Sequence, residues 1–328
     1  MTDSAQTTAT APIIKTPVIK TKVLIIGSGP AGYTAAIYAA RANLSPVMAA
    51  GNQPGGQLTI TTDVENYPGF ADMIQGPWLM DQMRTQAERV GTTIHNTMIQ
   101  TVDLNSAPKT AVDDAGNHYE ADTVIVATGA QARWLGMASE TKFQGYGVSG
   151  CATCDGFFYK GHDVAVIGGG NTAVEEALFL TNFASSVTLI HRRDSLRAEK
   201  MLQDQLFAHP KIKVLWHQTP HEFVGTEDPL TLTGLMIKST KDGTISRLDV
   251  TGAFVAIGHD PATAVFKGQL DMDQNGYIIT NAPGVGTNIP GVFAAGDVHD
   301  QHYRQAVTAA GFGCMAALDA ERYLAAQK

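Results

Sequence analysis

Basic residues and long apolar runs are both scarce in this chain of 328 residues. Lysine and arginine number 23 against 31 aspartates and glutamates, which sets the formal net charge at −8. Nucleic-acid binding requires clustered Lys and Arg, so we expect no nucleic-acid partner. No apolar run approaches the roughly 20 residues that a membrane span needs, so we expect no membrane association. Residues 1–20 lack a basic segment followed by an apolar core, and we interpret them as a flexible tail of a cytoplasmic protein.

Cysteine is rarer still, with three residues, two of which form the motif Cys151-Ala152-Thr153-Cys154-Asp155. In a reducing cytosol such a pair is more often catalytic or metal-binding than a structural disulfide. A zinc site needs four ligands, but Cys314 is distant and no histidines stand at ligand spacing near the pair. Asp155 can exchange a proton with a neighbouring thiol. The motif favours a redox dithiol, with a zinc site and a structural pair as alternatives. We expect Cys314 to lie in a helix as a small residue of the hydrophobic core.

A glycine-rich turn follows the first apolar run. Residues 22–26 predict a buried parallel strand, and residues 33–42 predict a helix. Between them, Gly27, Gly29 and Gly32 form the pattern GxGxxG. In a dinucleotide-binding unit these glycines allow a tight turn, close approach to a pyrophosphate and helix–strand packing.

The second strand of this unit departs from the usual pattern. The acid expected about 20 residues after the glycines is missing, because Ala49, Ala50 and Gly51 stand there. A second glycine turn, Gly55-Gly56-Gln57, suits main-chain contact with a large cofactor. Further on, residues 93–104 predict a single strand.

The same pattern then repeats. Residues 163–167 predict a strand and residues 174–182 a helix, with Gly168-Gly169-Gly170-Asn171-Thr172-Ala173 between them. The next strand ends in His191-Arg192-Arg193, and Arg197 follows one turn later. A carboxylate at this position would indicate NAD, whereas arginines can clamp the 2′-phosphate of NADP. The repeat therefore predicts a second dinucleotide site, for NADPH.

The end of the chain predicts a return to the first unit. Residues 291–295 form an apolar strand that ends in Gly296-Asp297, and a helix runs from Arg304 to Ala326. We therefore predict an α/β protein with two Rossmann-like domains, each with a parallel sheet, plus a small antiparallel sheet, and with the second domain inserted in the first. The predicted first domain comprises residues 21–130 and 259–328, and the second comprises residues 131–258. A dithiol between two dinucleotide sites indicates hydride transfer from a nicotinamide to a flavin and then to the disulfide.

These motifs together resemble the low-molecular-weight bacterial thioredoxin reductases, from about Thr21 to the end of the chain. The position of the CxxC in the second domain makes the set highly specific. The resemblance implies a homodimer that binds FAD and NADPH and that reduces thioredoxin through the Cys151–Cys154 disulfide, with Asp155 as the proton donor or acceptor. Cys154 is interpreted as the flavin-proximal sulfur, since it is closer to Asp155.

The motifs and the resemblance together predict a set of cofactor-binding residues. They are Gly27, Ser28, Gly29, Pro30, Ala31, Gly32, Gly51, Gly55, Gly56, Gln57, Asn66, Ala127, Thr128, Gly129, Gly168, Gly170, Asn171, Thr172, Ala173, His191, Arg192, Arg193, Arg197, Gly296, Asp297, Arg304, Gln305 and Ala306. The alternatives are a reductase for another protein disulfide, an FAD-dependent dithiol oxidase, and a non-catalytic redox sensor or zinc-binding module on a Rossmann scaffold.

The dithiol and the nicotinamide site are both predicted on the second domain, yet each must approach the same flavin on the first. Hydride transfer and thiol exchange both need near-contact geometry. We therefore predict a rigid-body rotation of the second domain about two crossings, near residues 129–133 and 258–260.

Overall fold

The first strand begins within the predicted tail. The computed structural model describes residues 18–60 and 63–327, so that residues 1–17 of that tail lie outside the described residues. Val18, Ile19 and Lys20 already belong to strand β1 (Val18–Ile26), where they pair in parallel with residues 118–120. Backbone pairing therefore orders the chain three residues earlier than predicted.

Nineteen strands and seven helices are formed by the described residues. The strands are β1 (Val18–Ile26), β2 (Val47–Ala49), β3 (Asp63–Val64), β4 (Ile74–Gln75), β5 (Thr93–His95), β6 (Ile99–Asp103), β7 (Lys109–Asp113), β8 (His118–Val126), β9 (Ala130–Ala132), β10 (Val148–Ser149), β11 (Asp163–Gly168), β12 (Ser186–His191), β13 (Ile212–Trp216), β14 (Gln218–Glu227), β15 (Leu230–Ser239), β16 (Ile245–Leu248), β17 (Gly252–Ala256), β18 (His259–Pro261) and β19 (Val292–Ala294). The helices are α1 (Pro30–Arg41), α2 (Gly76–Arg89), α3 (Ala138–Phe143), α4 (Ala152–Asp155), α5 (Asn171–Leu180), α6 (Lys200–Ala208) and α7 (Ala306–Ala326).

The first sheet has seven strands, with β5, β2, β1 and β8 in parallel order. The remaining edge of β8 is shared, because β7 pairs antiparallel with residues 118–121 and β19 pairs in parallel with residues 124–126. Since β19 comes from the end of the chain, the last segment completes the sheet that the first segment starts.

A second parallel sheet, in the order β10-β17-β11-β12-β13, is formed by the intervening chain. Beside it lies the antiparallel sheet β14-β15-β16. This arrangement confirms the predicted fold class, in which one dinucleotide-binding fold is inserted in another.

Burial on both faces explains why the central strands are short apolar runs. In β1, Val23 and Ile25 pack into one hydrophobic cluster, while Leu24 and Ile26 pack into the cluster on the opposite face. Strand β11 repeats this alternation in the second sheet, with residues 164–167 divided between two clusters. Both faces of each sheet are therefore covered. A strand with polar residues at every second position would place those polar groups in the core.

The prediction of one strand over residues 93–104 is wrong. The chain instead forms β5 and β6, which lie at opposite ends of the first sheet. Strand β5 pairs with β2 and β6 pairs with β7. A continuous β-rich segment therefore spans a change of strand partner, which no periodicity shows.

The two connections between the folds lie side by side. Strand β9 follows β8, strand β18 follows β17, and the two pair antiparallel from Ala130↔Pro261 to Ala132↔His259. Gly129 and Gly258 precede them with φ angles of 72° and 110°, in the region that favours glycine. Arg133 and Asp260 add an exposed ion pair at this junction. Within the described ranges, no helix has the length and apolar character to cross a membrane.

Candidate active site

The two cysteines of the CxxC motif form a disulfide at the start of α4. Cys151 occupies the N-cap position, where its Sγ accepts a hydrogen bond from the backbone N–H of Cys154 at 3.2 Å. Its own N–H donates to Ser149 Oγ at 3.0 Å. A hydrogen bond to sulfur stabilises a thiolate, so this geometry favours negative charge on Cys151 once the disulfide opens. The third cysteine, Cys314, is free and half-buried in α7 rather than in the core as predicted.

Asp155 stands at the end of the same short helix. Burial raises the pKa of its carboxyl group, the Ser149 hydroxyl bond partly opposes this, and the charge of Asp63 adds to it. A carboxyl group with a raised pKa retains its proton closer to neutral pH, as a proton donor to a thiolate must. The acid–base role of Asp155 stays a prediction, and the burial of its carboxyl group favours that role.

One cavity of about 670 Å³ brings the disulfide together with residues of the first domain. Both cysteines and Asp155 line it. Predicted cofactor residues of the other domain line the opposite side, and they are Pro30, Gln57, Asn66, Asp297, Arg304, Gln305 and Ala306. The structure therefore places the dithiol and the predicted flavin ligands around one space.

The first glycine loop is shaped by close backbone packing. A Cβ on Gly27 would lie 2.2 Å from Ala127 O, and one on Gly32 would lie 2.1 Å from Gly27 O. Gly29 differs, because a Cβ there would meet nothing within 4 Å. Its backbone borders open space at the start of α1, which fits the approach of a pyrophosphate.

Neighbouring loops are tied to this turn. The Ser28 hydroxyl donates to Ala50 O at 2.7 Å and accepts the N–H of Gly55 at 3.0 Å. Gly56 packs against Gly29, since its Cβ would lie 3.4 Å from Gly29 Cα. Gly51 follows β2 beside open space. The Ser28 side chain therefore connects the first glycine loop to the segments at Ala50 and Gly55 by hydrogen bonds, whereas the sequence predicts only a cofactor contact.

Other predicted residues of the first domain make contacts next to the residues that line the cavity. Thr128 donates through its hydroxyl to Ala262 O at 2.8 Å, which ties the end of β8 to the second crossing. Ala31 packs against Gly296, whose Cβ would lie 2.9 Å from the Ala31 side chain. Asp297 follows, and burial raises the pKa of its carboxyl group to about 7, with Asp300 adding to the effect and Arg304 opposing it.

The second glycine loop repeats the geometry of the first. A Cβ on Gly168 would lie 2.4 Å from Ala256 O and 2.6 Å from Ala173 Cβ, while one on Gly170 would meet nothing within 4 Å. Asn171 accepts the N–H of Glu199 at 2.8 Å through its side chain. The N–H of Arg197 donates to Gly169 O at 2.7 Å, which brings that arginine to the loop.

A second cavity, of about 650 Å³, opens at this loop. Six predicted residues line it, namely Gly168, Gly170, Thr172, His191, Arg192 and Arg197. His191 Nδ1 lies 2.7 Å from Gly168 O, which accepts its hydrogen bond. Among the described residues, His191 Nε2 and Gln218 Oε1 in this cavity are buried without a partner. Buried polar atoms are normally hydrogen-bonded, so both fit a bound polar ligand.

Several residues at these two cavities were missed by the sequence interpretation. Arg133, Gln218 and Thr219 line the second cavity, and Glu176 and His259 line the first. Burial, with Arg304 and Arg133 nearby, lowers the pKa of His259 to about 4. Neutral His259 therefore accepts a hydrogen bond from the Arg304 guanidinium through Nδ1. None of these residues belongs to a short motif. For Glu176 the sequence offers only its place directly after GGGNTAVE, in the helix that follows the glycine loop.

Comparison with known proteins identifies the family. The model for pyridine nucleotide-disulphide oxidoreductases matches residues 21–313. The thioredoxin reductase of Rickettsia conorii is 59% identical over 306 residues, which are 93% of this chain and 99% of that protein. This chain belongs to the thioredoxin reductases of that family.

Solved structures of thioredoxin reductases agree with the fold. The enzyme from Giardia duodenalis superposes with a TM-score of 0.90 at 41% identity, over 94% of this chain and 99% of that one. The Lactococcus lactis enzyme, described as the FR conformation, gives a TM-score of 0.62 at 37% identity, over 93% of this chain and 99% of that one. At similar sequence identity, this chain therefore superposes much less well on the Lactococcus lactis enzyme than on the Giardia duodenalis enzyme over the whole length.

Membership of the thioredoxin reductases confirms the predicted oxidoreductase class and its cofactors, FAD and NADPH. The residues present fit both groups. The open backbone at Gly29 and Gly170 suits two pyrophosphates, and the unpartnered acceptors of the second cavity suit the donors of a nucleotide. The non-catalytic sensor and the zinc module are thereby set aside, since Cys151 and Cys154 form a disulfide within an oxidoreductase fold.

Proposed function

We propose that this chain reduces the disulfide of thioredoxin with electrons from NADPH, through the Cys151–Cys154 pair. The observation that carries the proposal is the shared cavity, in which the disulfide faces the predicted flavin ligands. FAD and NADPH, when bound, supply the hydride chemistry that delivers two electrons to this disulfide. The residues that would hold FAD are those of the first glycine loop with Gln57, Asp297 and Arg304, and those that would hold NADPH are those of the second loop with Arg192 and Arg197.

The chain's own residues then carry out thiol–disulfide exchange. The Cys151 thiolate, stabilised by the Cys154 N–H, attacks one sulfur of the partner disulfide, and the partner's other sulfur leaves as a thiolate. Cys154, once deprotonated, attacks Cys151 Sγ, which restores the disulfide and releases the second partner thiolate. Both partner thiolates end as thiols, and Asp155 is placed to exchange one of these protons.

Access for a protein partner requires a change of domain placement. Cys151 and Cys154 are half-buried and line the cavity of about 670 Å³ that lies between the two domains. Phe157 and Phe158, directly after the motif, are 58% and 41% exposed and would offer apolar contact to a partner. The lower TM-score to the Lactococcus lactis enzyme supports rotation about the paired crossings β9 and β18.

We also propose a homodimer that works in the cytoplasm. Exposed apolar side chains on α1 and α7 of the first domain, such as Tyr38, Val307 and Leu318, supply a surface for self-association. A dithiol that must be re-reduced in each cycle suits a reducing compartment. Sedimentation at several concentrations tests the dimer, and a single monomeric species at micromolar concentration contradicts it.

Separate half-reactions test the proposed function. Cys151→Ser and Cys154→Ser should each abolish NADPH-dependent reduction of thioredoxin, while anaerobic bleaching of the flavin by NADPH continues, since hydride transfer needs no thiol. Cys314→Ser is the matched control and should retain both reactions. Retained thioredoxin reduction in Cys151→Ser, or faster reduction of other protein disulfides by the unmodified enzyme, would contradict the assignment.

A further inference from the structure

A second carboxyl group, Glu176, lies beside the dithiol in the same cavity as the disulfide. It belongs to the second turn of α5, and the backbone N–H of Ala152, the residue between Cys151 and Thr153, favours its ionised form. Helix α4, which carries both cysteines, packs on α5 at this point.

One oxygen of this carboxyl group is left without a partner. Glu176 Oε2 is buried and has no hydrogen-bond partner among residues 18–60 and 63–327. An ionised carboxylate with a buried, unpaired oxygen is costly, whereas a protonated one is much less so. Burial accordingly raises the pKa of Glu176 to about 7.

The charges that face Glu176 come from three directions. Arg304, before α7, lowers its pKa, while Glu175 on the same helix and Asp155 on α4 raise it. Asp155 in turn is affected by Asp63. A new negative charge on a cysteine of α4 would act in the same direction as Asp155 and favour the protonated form of Glu176.

We propose that Glu176 is a positioning residue for the redox pair, which takes up a proton when the Cys151–Cys154 disulfide is reduced. The S–S bond breaks as the disulfide accepts two electrons that come from NADPH. One sulfur takes the proton released when NADPH is oxidised, and the other becomes a thiolate. A second proton, taken from solvent, binds the Glu176 carboxylate, so that the net charge of the cysteine pair and Glu176 together does not change. This inference rests on the proposed exchange function, because it assigns the proton balance of the same pair.

The test compares two substitutions in one domain. Glu176→Gln keeps a polar side chain of similar size but removes the titrating group. Glu222→Gln removes an exposed carboxylate that lies outside both cavities and is the matched control. The reduced holoenzyme is alkylated with iodoacetamide from pH 5.5 to pH 9, and modification of Cys151 and Cys154 is quantified by mass spectrometry, which requires no partner protein.

We expect Glu176→Gln and the unmodified enzyme to react equally at pH 5.5, where Glu176 is protonated. At pH 8.5 the variant should react about three- to tenfold faster, because no neighbouring carboxylate opposes the thiolate. Glu222→Gln should stay within about twofold at every pH, since its exposed charge is screened by solvent. A Glu176→Gln to wild-type ratio that does not change with pH overturns the proposal, and so does loss of bound FAD as the only effect.

A measurement without substitution at Glu176 covers the case in which that variant does not fold. Infrared difference spectra of the Asp155→Asn/Asp297→Asn double variant on chemical reduction at pH 7.5 should show a gain of protonated carboxyl absorption, because neither Asp155 nor Asp297 contributes. No gain overturns the role of Glu176, whereas a gain with no thioredoxin reduction by the unmodified enzyme overturns the proposed function alone.

Discussion

Discrimination between NADPH and NADH should depend on two of the three predicted arginines. Arg192 and Arg197 line the second cavity, while Arg193 is exposed and is absent from the described residues that line it. A hydrogen bond to a charged group contributes about 1.5–3 kcal/mol. Arg192 and Arg197 are both exposed, and solvent screening weakens such bonds, so we take the lower end of this range. Each arginine should then contribute about 1.5 kcal/mol to the free energy of NADPH binding, or about tenfold in affinity.

We therefore expect Arg192→Ala and Arg197→Ala each to raise the Kd for NADPH about tenfold, and the double variant about 100-fold. Binding of NADH, which has no 2′-phosphate, should change less than about twofold. Arg193→Ala is the matched control and should leave both affinities nearly unchanged. Isothermal titration calorimetry of each variant with NADP+ and NAD+, which differ in the same 2′-phosphate but do not reduce the flavin, measures this. Equal losses for NADPH and NADH, or a loss in Arg193→Ala as large as in Arg192→Ala, would refute the reasoning.

Two further predictions concern the loops and the crossings. Gly168→Ala should lower Tm by about 5 °C or more, because its Cβ would meet Ala256 O at 2.4 Å. Gly170→Ala should keep the Tm of the unmodified enzyme, since its Cβ would meet nothing within 4 Å, but should lower NADPH affinity about tenfold. Equal Tm values for the two variants in a thermal scan would contradict this. A cleavable linker between Leu58→Cys and Gln144→Cys, which line the first cavity from the two domains, should stop thioredoxin reduction until it is cut. Full turnover of the linked enzyme, against the unlinked double variant, would disprove the rotation.

Local sequence patterns predicted the parts of the molecule in which neighbours along the chain are also neighbours in space. The apolar runs of β1 and β11, the two glycine loops and the CxxC motif are of this kind. What the patterns missed depends on distant partners. Pairing with β8 extends β1 back to Val18. Strands β5 and β6 are separate because β5 pairs with β2 and β6 pairs with β7.

The candidate site shows the same division. Asp155 was predicted because it adjoins Cys154. Glu176 lies 22 positions after Cys154 and comes close to the redox helix only because α4 packs on α5. Gln218 contributes to the second cavity from β14, and no motif marks it. Cys314 was predicted in the core from its Ala-rich surroundings, although the part of α7 beside Tyr38 is half-exposed.

The contacts of Gly27 and Gly168 restrict where this chain can change in length. The carbonyl oxygens that touch them belong to Ala127 and Ala256, and only two residues separate each alanine from its crossing strand, β9 or β18. An inserted residue at either place would shift a glycine loop or break the pairing of the crossings. Related chains should therefore align without gaps across residues 127–132 and 256–261, while the exposed turn between β14 and β15 can lengthen or shorten freely.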